Sequence, residues 1–132
     1  MNGSLQGKKV VVGLSGGIAA YKTLTLIRLL VKNGAEVKCV CTPSALEFVT
    51  PLALETLSGH PLYSDLFSSR NESKTAHVGY ADWADLMVVA PASANTIAKF
   101  AHGIADNALT TLFNAFDKTV VLAPAMNTRM YK

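Results

Sequence analysis

The sequence predicts an α/β fold in which helices cover both faces of a parallel sheet. Short runs of Val, Leu, Ile and Ala recur along the chain, and such runs are typical of strands buried on both faces. Longer stretches with helical spacing separate them, and strands that alternate with helices pair in parallel through right-handed crossovers. The chain has 132 residues, a length that fits one domain with one core.

The first predicted elements are a strand over residues 8–14, a Gly-rich turn at 15–17 and a helix that ends near Asn33. Asn33 followed by Gly34 is typical of a helix C-terminus. The helix is expected to bury one stripe of side chains, because its apolar residues recur at i, i+4, i+7 and i+11. The residues of this stripe are Ala20, Leu24, Ile27 and Val31.

A second strand is predicted over residues 36–41. Pro43 then opens a helix that runs towards Leu57, and Pro51 is expected to kink or divide this helix because it lacks an N–H and clashes with the preceding turn. Residues 58–74 have no clear period, and the centre of this stretch is predicted to be an exposed loop.

A short helix that begins near Thr75 is expected to carry His77. Strands are predicted over residues 86–90 and 119–123, and the two helices between them are expected to be separated at Gly103. A proline follows each of these strands directly. It is expected to end the ladder, because proline has no N–H to donate.

This order predicts a Rossmann-like or flavodoxin-like three-layer fold over a single domain, residues 1–132. Four strands are few for such a sheet, so we expect a chain that is truncated at its C-terminal end, with further strands beyond Lys132. In an open parallel sheet the carboxyl ends of the strands form the ligand crevice. The two proline corners, residues 91–96 and 124–131, are therefore expected to line one site.

The composition narrows the class of function. Hydrophobic residues make up 50% of the chain and charged residues only 16%, which is apolar for a monomer of this size and predicts a homo-oligomer. The apolar runs are too short to cross a bilayer and no signal-peptide pattern opens the chain, so we expect a cytoplasmic protein with no membrane partner. The formal net charge of +3 comes from scattered Lys and Arg, which argues against a nucleic-acid surface.

Cys39 and Cys41 lie two residues apart on the predicted second strand. Neighbours on one strand do not have the usual geometry of a disulfide. A metal pair would need further ligands, and no second cysteine pair or nearby histidine offers them. The sequence therefore predicts two buried free thiols and no metal site.

The turn at Gly16 and Gly17 lets the backbone approach a ligand, and the next helix presents N–H groups to a phosphate. It has neither the dinucleotide spacing G-x-G-x-x-G nor the Gly-Lys-Ser/Thr of a P-loop. From the turn alone, a nucleotide or flavin phosphate and a plain tight turn both stay open. Ser44, Ser93 and Thr96 follow other strands, where a hydroxyl caps a helix or binds a phosphate or a polar ring edge.

The chain has three histidines. Histidine titrates near neutrality, which makes His77 a candidate proton acceptor, although a lone histidine is more often structural. His60 is predicted to lie in a loop and His102 at a helix end. Neither of these two is assigned to the chemistry.

Four features together resemble the homo-oligomeric flavin-containing cysteine decarboxylases. They are Gly-Gly-Ile-Ala-Ala-Tyr-Lys at residues 16–22, the lone His77, and the two proline corners. Pro-Ala-Met-Asn with a Met three residues later, in the second corner, is a specific signal. The resemblance covers about residues 9–131, and Tyr131 stands where the family usually has Trp.

The resemblance implies FMN as the cofactor. It also implies that His77 is the catalytic base and that Asn127, the second residue assigned to catalysis, binds the substrate carboxylate beside an apolar wall that includes Met126. A plain Asx turn is the alternative role for Asn127. The positions that match FMN-binding residues of the family are Gly16, Gly17, Ile18, Ser44, Ser93, Ala94, Asn95, Thr96 and Ala125.

The implied activity is FMN-dependent decarboxylation of 4'-phospho-N-pantothenoylcysteine to 4'-phosphopantetheine, a lyase step of coenzyme A biosynthesis. The family forms trimers with the site between subunits, and a ligase domain that joins phosphopantothenate to cysteine can be fused to it. It closes over its substrate with a clamp that bears a proton-donating Cys, and no residue here matches that clamp. We therefore expect this chain to bind flavin but to turn over poorly.

Two alternatives share the fold. One is a non-catalytic relative that binds FMN and regulates a partner protein, and the other is a flavin prenyltransferase. The presence of both His77 and Asn127 favours the decarboxylase.

Overall fold

A computed structural model describes residues 4–64 and 76–125 of the chain. These residues form a sheet of four parallel strands in the spatial order β2-β1-β3-β4. The predicted three-layer parallel fold is confirmed. The strands are β1 (Lys9–Leu14), β2 (Glu36–Cys41), β3 (Leu86–Ala92) and β4 (Thr119–Pro124).

Five α-helices and one 3-10 turn connect the strands in the part of the chain that the structure describes. Pro51 divides the second helical segment and Gly103 caps the fourth helix with a φ of 69°, as the sequence predicts. None of the described helices is long and apolar enough to span a bilayer. The elements are α1 (Ala20–Lys32), the 3-10 turn (Pro43–Glu47), α2 (Pro51–Ser58), α3 (Ala76–Trp83), α4 (Ala94–His102) and α5 (Ala108–Ala115).

The helices pack on the two faces of the sheet. Val10 and Val12 of β1 point into a core shared with α1 and α2, whereas Val11 points into a core shared with α3, α4 and α5. This alternation follows from the two-residue period of a strand. Cys39 and Cys41 are buried in the first core and form no disulfide, which confirms the prediction of two buried thiols.

The buried stripe of α1 differs from the predicted one. Ala20 and Ile27 are buried, but Val31 is 40% exposed, and Leu30 packs against the core in its place. Thr23 is also buried, at i+3 from Ala20. The sequence pattern missed it because only apolar residues were counted, whereas this hydroxyl faces inward to donate a hydrogen bond to β3.

The prediction that a proline ends the strand was wrong for β3, whereas β4 ends at its proline, one residue later than predicted. β3 continues through Pro91 to Ala92, and β4 includes Pro124. The ladder tolerates Pro91 because the register between β3 and β4 shifts between Val89 and Ala92, and pairing resumes where Ala92 lies opposite Pro124. The Ala90–Pro91 peptide bond is cis.

The predicted loose segment after α2 contains an ordered addition to the sheet. Tyr63 forms a parallel bridge with Val40, and it donates to the Cys39 carbonyl at 3.0 Å and accepts from the Cys41 N–H at 3.2 Å. Leu62 and Tyr63 are buried. The exposed loop predicted at the centre of this segment, residues 68–74, lies outside the described residues.

Candidate functional site

The loops that follow the four strands meet at the carboxyl edge of the sheet. The turn at residues 15–19 follows β1, residues 42–44 follow β2, Ser93 follows β3 and Ala125 follows β4. All four strands are parallel, so these loops lie side by side. The edge is therefore the crevice that the sequence predicts.

Ser15 joins the loop after β1 to the loop after β3. Its side chain is fully buried. The Oγ donates to the Pro91 carbonyl at 2.6 Å and accepts from the Ser93 N–H at 2.7 Å. The Ser15 N–H also donates to the Pro91 carbonyl, at 3.1 Å. One residue thus holds both loops at a fixed separation.

The loop after β2 approaches the same turn from the other side. The Thr42 N–H donates to the Leu14 carbonyl at 3.0 Å, and the Thr42 and Ser44 hydroxyls are 3.1 Å apart. A Cβ on Gly16 would stand 2.6 Å from the Ser44 Oγ and 2.8 Å from the Ser44 Cβ. Gly16 is therefore required for this close approach.

Two further hydrogen bonds tie β3 to its neighbours at this edge. The Ala125 N–H donates to the Ala92 carbonyl at 3.1 Å, and the Thr23 Oγ1 of α1 donates to the Ala90 carbonyl at 2.6 Å. Thr23 and the Ala90 carbonyl are both buried. The end of β3 is thus held from α1 and from β4 together.

The hydroxyls that follow β2 and β3 have two different roles, since some cap a helix and one is exposed. Ser93 caps α4, since its Oγ accepts from the Thr96 N–H at 3.2 Å. After β2 the cap is Thr42, which accepts from the Ala45 N–H at 3.3 Å, and not the predicted candidate Ser44. Ser44 is exposed and faces the turn at Gly16, so its hydroxyl is available to a ligand.

A cleft of about 250 Å³ opens between α1 and the ends of β3 and β4. Lys22 and Thr23 supply its polar side chains, and Pro91 and Ala125 form part of its apolar wall. The lysine gives this cleft a positive charge next to the strand ends.

The structure brings all nine predicted cofactor residues to this one edge. Met126 and Asn127, which were predicted to bind the substrate, lie outside the described residues. Those that converge are Gly16, Gly17, Ile18, Ser44, Ser93, Ala94, Asn95, Thr96 and Ala125.

His77 is the second residue of α3. Asp85, two residues after the end of α3, contacts Lys9 at the amino edge of the sheet. The Asp85 N–H donates to the Lys9 carbonyl at 2.7 Å, and the Lys9 N–H donates to the Asp85 Oδ2 at 2.9 Å. The first turn of α3, with His77, therefore lies towards the carboxyl edge. His60 packs edge-on against Trp83, with ring centres 6.4 Å apart.

Two lysines from other elements hold α3 in place. Lys118 donates to the carbonyls of Ala81, Asp82 and Ala84, at 3.0, 3.2 and 2.6 Å, and so neutralises the negative end of the helix. Lys38 of β2 lies 4.5 Å from the centre of the Trp83 ring, at cation–π distance.

Three buried hydroxyls that organise the edge were not among the residues predicted from the sequence: those of Ser15, Thr23 and Thr42. A hydroxyl residue directly after a buried strand, beside a glycine pair, was the signal for Ser15. No group of His, Cys, Asp or Glu among the described residues is placed to hold a metal ion.

A profile of the family described as Flavoprotein matches residues 1–132. The coenzyme A biosynthesis bifunctional protein CoaBC of Haemophilus influenzae is 50% identical over 127 residues, which are 96% of this chain and 32% of that protein. The chain thus spans about a third of the length of the curated relatives it matches.

Two solved structures are similar to this chain in both fold and sequence. The FMN-dependent cysteine decarboxylase SpaF superposes with a TM-score of 0.87 and 32% identity, over 98% of this chain and 74% of that one. A C175S mutant of PPC decarboxylase, complexed with pantothenoylaminoethenethiol, gives a TM-score of 0.82 and 39% identity over 94% and 70% of the two chains.

Proposed function

Because the chain belongs to the Flavoprotein family, we propose that it binds FMN and decarboxylates 4'-phospho-N-pantothenoylcysteine to 4'-phosphopantetheine in coenzyme A biosynthesis. The observation that carries the proposal is the convergence of four strand ends at one edge, three of them followed by hydroxyl residues, in a chain that is 39% identical to PPC decarboxylase and 50% identical to CoaBC. The proposed activity is that of a carboxy-lyase.

The described residues fit FMN. Gly16 lets the turn after β1 pack directly against Ser44, and the first turn of α4 presents N–H groups without intrahelical partners to an anion. The Ser44 hydroxyl and the Asn95 amide, both exposed, add polar contacts at the same edge. Bound FMN would supply reversible two-electron chemistry. The chain would supply binding, orientation and proton transfer.

We assign the proton transfer to His77, whose place on the first turn of α3 supports this role. Asn127 would bind the substrate carboxylate by donating from its amide, and Met126 would line the apolar side of the substrate. These three assignments stay predictions, as do those of the individual FMN contacts.

Exposed apolar side chains flank the same edge and support a homo-oligomer, for which the family resemblance implies trimers. Ile18 is 78% exposed and Tyr21 57% at the start of α1, and Leu52 is 74% exposed at the start of α2. Burial of such residues against a second copy is favourable by about 25 cal/mol per Å² of apolar surface. Sedimentation velocity of the purified protein would test the trimer, and a monomer would contradict it.

Three further assignments belong to the same proposal. We place a fused domain that ligates phosphopantothenate to cysteine in the full protein, because CoaBC is bifunctional and the chain spans 32% of it. The single domain over residues 1–132 and a cytoplasmic location also stay predictions. Cys39 and Cys41, which form no disulfide, fit a reducing compartment.

The experiment combines FMN titration with turnover. We expect FMN to bind with quenched flavin fluorescence, and carbon dioxide and 4'-phosphopantetheine to form from the substrate at a low rate. His77→Asn should abolish turnover while FMN still binds, whereas His102→Asn, in the exposed last turn of α4, should leave turnover unchanged.

The outcomes separate the three candidate functions. Absence of FMN binding would contradict the proposal that this chain carries out flavin chemistry. FMN binding without any turnover would favour the regulatory relative, and prenyl transfer to the flavin would favour the prenyltransferase.

A further inference from the structure

We propose that Ser15 is a positioning residue, whose buried hydroxyl fixes the separation of the two loops that we assign to FMN. The proposal rests on the proposed function for the identity of the ligand. The geometry that carries it is independent of that function.

The Ser15 hydroxyl uses both of its hydrogen-bonding capacities in opposite directions. It donates to the Pro91 carbonyl at 2.6 Å and accepts from the Ser93 N–H at 2.7 Å, and the side chain is 0% exposed. A hydroxyl is the smallest side-chain group that both donates and accepts. Alanine at this position would leave the part-buried Ser93 N–H without its partner, and the Pro91 carbonyl would keep only the Ser15 N–H at 3.1 Å.

The two loops are distant in sequence, so this contact sets their geometry directly. Ser15 precedes Gly16 and Gly17 in the chain, whereas Ser93, 78 residues later, is the cap of α4. The Ser93 N–H therefore places the start of α4, with the first-turn N–H groups of Ala94 and Asn95. A change at Ser15 moves the glycine turn and the α4 amides relative to each other.

Ser15 does not contact a ligand itself, because its side chain is closed off from solvent. Its role is therefore indirect. We expect the loss of one supporting hydrogen bond to lower ligand affinity by about tenfold, because the groups that the bond positions move.

Ser58 offers a matched control elsewhere in the fold. Its hydroxyl is also buried and also bridges a carbonyl and an N–H, donating to the His60 carbonyl at 3.3 Å and accepting from the His60 N–H at 3.2 Å. Both backbone partners belong to His60, two residues after the end of α2, and the hydroxyl also bonds to Cys39 in the core. The Ser58 hydroxyl thus stabilises a local turn and joins no two loops of the site.

The test measures FMN affinity and amide exchange in Ser15→Ala, Ser15→Cys and Ser58→Ala. We expect the Kd of FMN to rise about tenfold in Ser15→Ala and to stay within about twofold in Ser58→Ala. Ser15→Cys should lie between wild type and Ser15→Ala, because sulfur donates and accepts only weakly. It also preserves the fold if alanine does not. In the flavin-free protein, the Ser93 amide should exchange about tenfold faster in Ser15→Ala than in wild type.

Equal FMN affinity in Ser15→Ala and Ser58→Ala would overturn the proposal, as would wild-type affinity in Ser15→Cys. If wild type binds no FMN, the proposed function fails and the exchange measurement alone decides the role of Ser15. Unchanged exchange at Ser93 would then overturn it, and faster exchange at Ser93 but not at His60 would support it.

Discussion

Gly16 and Ser44 lie so close together that a Cβ on Gly16 would be 2.6 Å from the Ser44 Oγ. The two residues belong to the loops after β1 and β2, which are neighbours in the sheet. The φ of Gly16 does not lie in the left-handed region. Glycine is therefore needed here for space and not for its backbone conformation. This contact holds the loop after β2 against the loop after β1.

Gly16→Ala is expected to weaken both the fold and the FMN site. The added methyl group has to displace Ser44, at a cost of about 1–3 kcal/mol in the free energy of unfolding, and the Kd of FMN should rise. Urea unfolding and fluorescence titration measure the two effects. Gly79→Ala is the control, because Gly79 lies within α3 with open space around its Cβ position. This control should gain about 0.5–1 kcal/mol, and equal stability of the two variants would contradict the packing argument.

Thr23→Val is expected to destabilise the protein by about 1–3 kcal/mol, because it leaves the buried Ala90 carbonyl without its hydrogen bond. That bond is 2.6 Å long and joins α1 to the end of β3. Thr23→Ser keeps the hydroxyl and should recover most of the loss. Thermal unfolding compares the two variants, and a valine variant as stable as the serine variant would show that the hydroxyl does not matter.

Lys118→Met is expected to loosen α3. The ammonium group donates to three carbonyls at the end of that helix, and hydrogen bonds to charged groups contribute about 1.5–3 kcal/mol in total when they are not fully exposed. Guanidinium unfolding should show a loss of that order. Lys8→Met, at an exposed lysine before β1, should change the free energy of unfolding by less than about 0.5 kcal/mol. Similar losses in both variants would indicate a general charge effect instead.

Stability should fall at alkaline pH because of Cys39. Burial, with a smaller contribution from Cys41, raises the pKa of the Cys39 thiol from 9.0 to about 12, and a hydrogen bond from Ser58 opposes this. The unfolded chain loses this proton near pH 9 whereas the folded chain keeps it, so the stabilisation is complete below pH 9 and is lost as the pH rises towards 12.

Urea unfolding at pH 8 and pH 10 checks this prediction. Wild type should lose about 1.4 kcal/mol more than Cys39→Ala over this interval. Cys39→Ala serves as the baseline for wild type, because the other titrating groups are common to both proteins. Parallel losses in the two proteins would show that the thiol ionises freely in the folded state.

The sequence predicts the elements of this fold well, because their signals are local. Aliphatic runs mark the strands, Pro51 begins α2 and Gly103 ends α4, as local backbone chemistry requires. The position of the site at the strand ends also follows from the sequence, since parallel strands leave their carboxyl ends at one edge.

The features that the sequence does not predict depend on distant contacts. Pro91 stays within β3 because β4 shifts its register to meet Ala92, and Tyr63 is ordered by its bridge to Val40. The Ser15 bonds join residues 76 and 78 positions apart. No local pattern indicates such contacts, because each needs the whole sheet to be in place.

A crystal structure of the protein with FMN tests the central claim most directly. We predict that the flavin lies at the carboxyl edge of the sheet, in contact with residues 16–18 and 93–96. An FMN molecule bound on another surface, or crystals that take up none from a saturating soak, would contradict it.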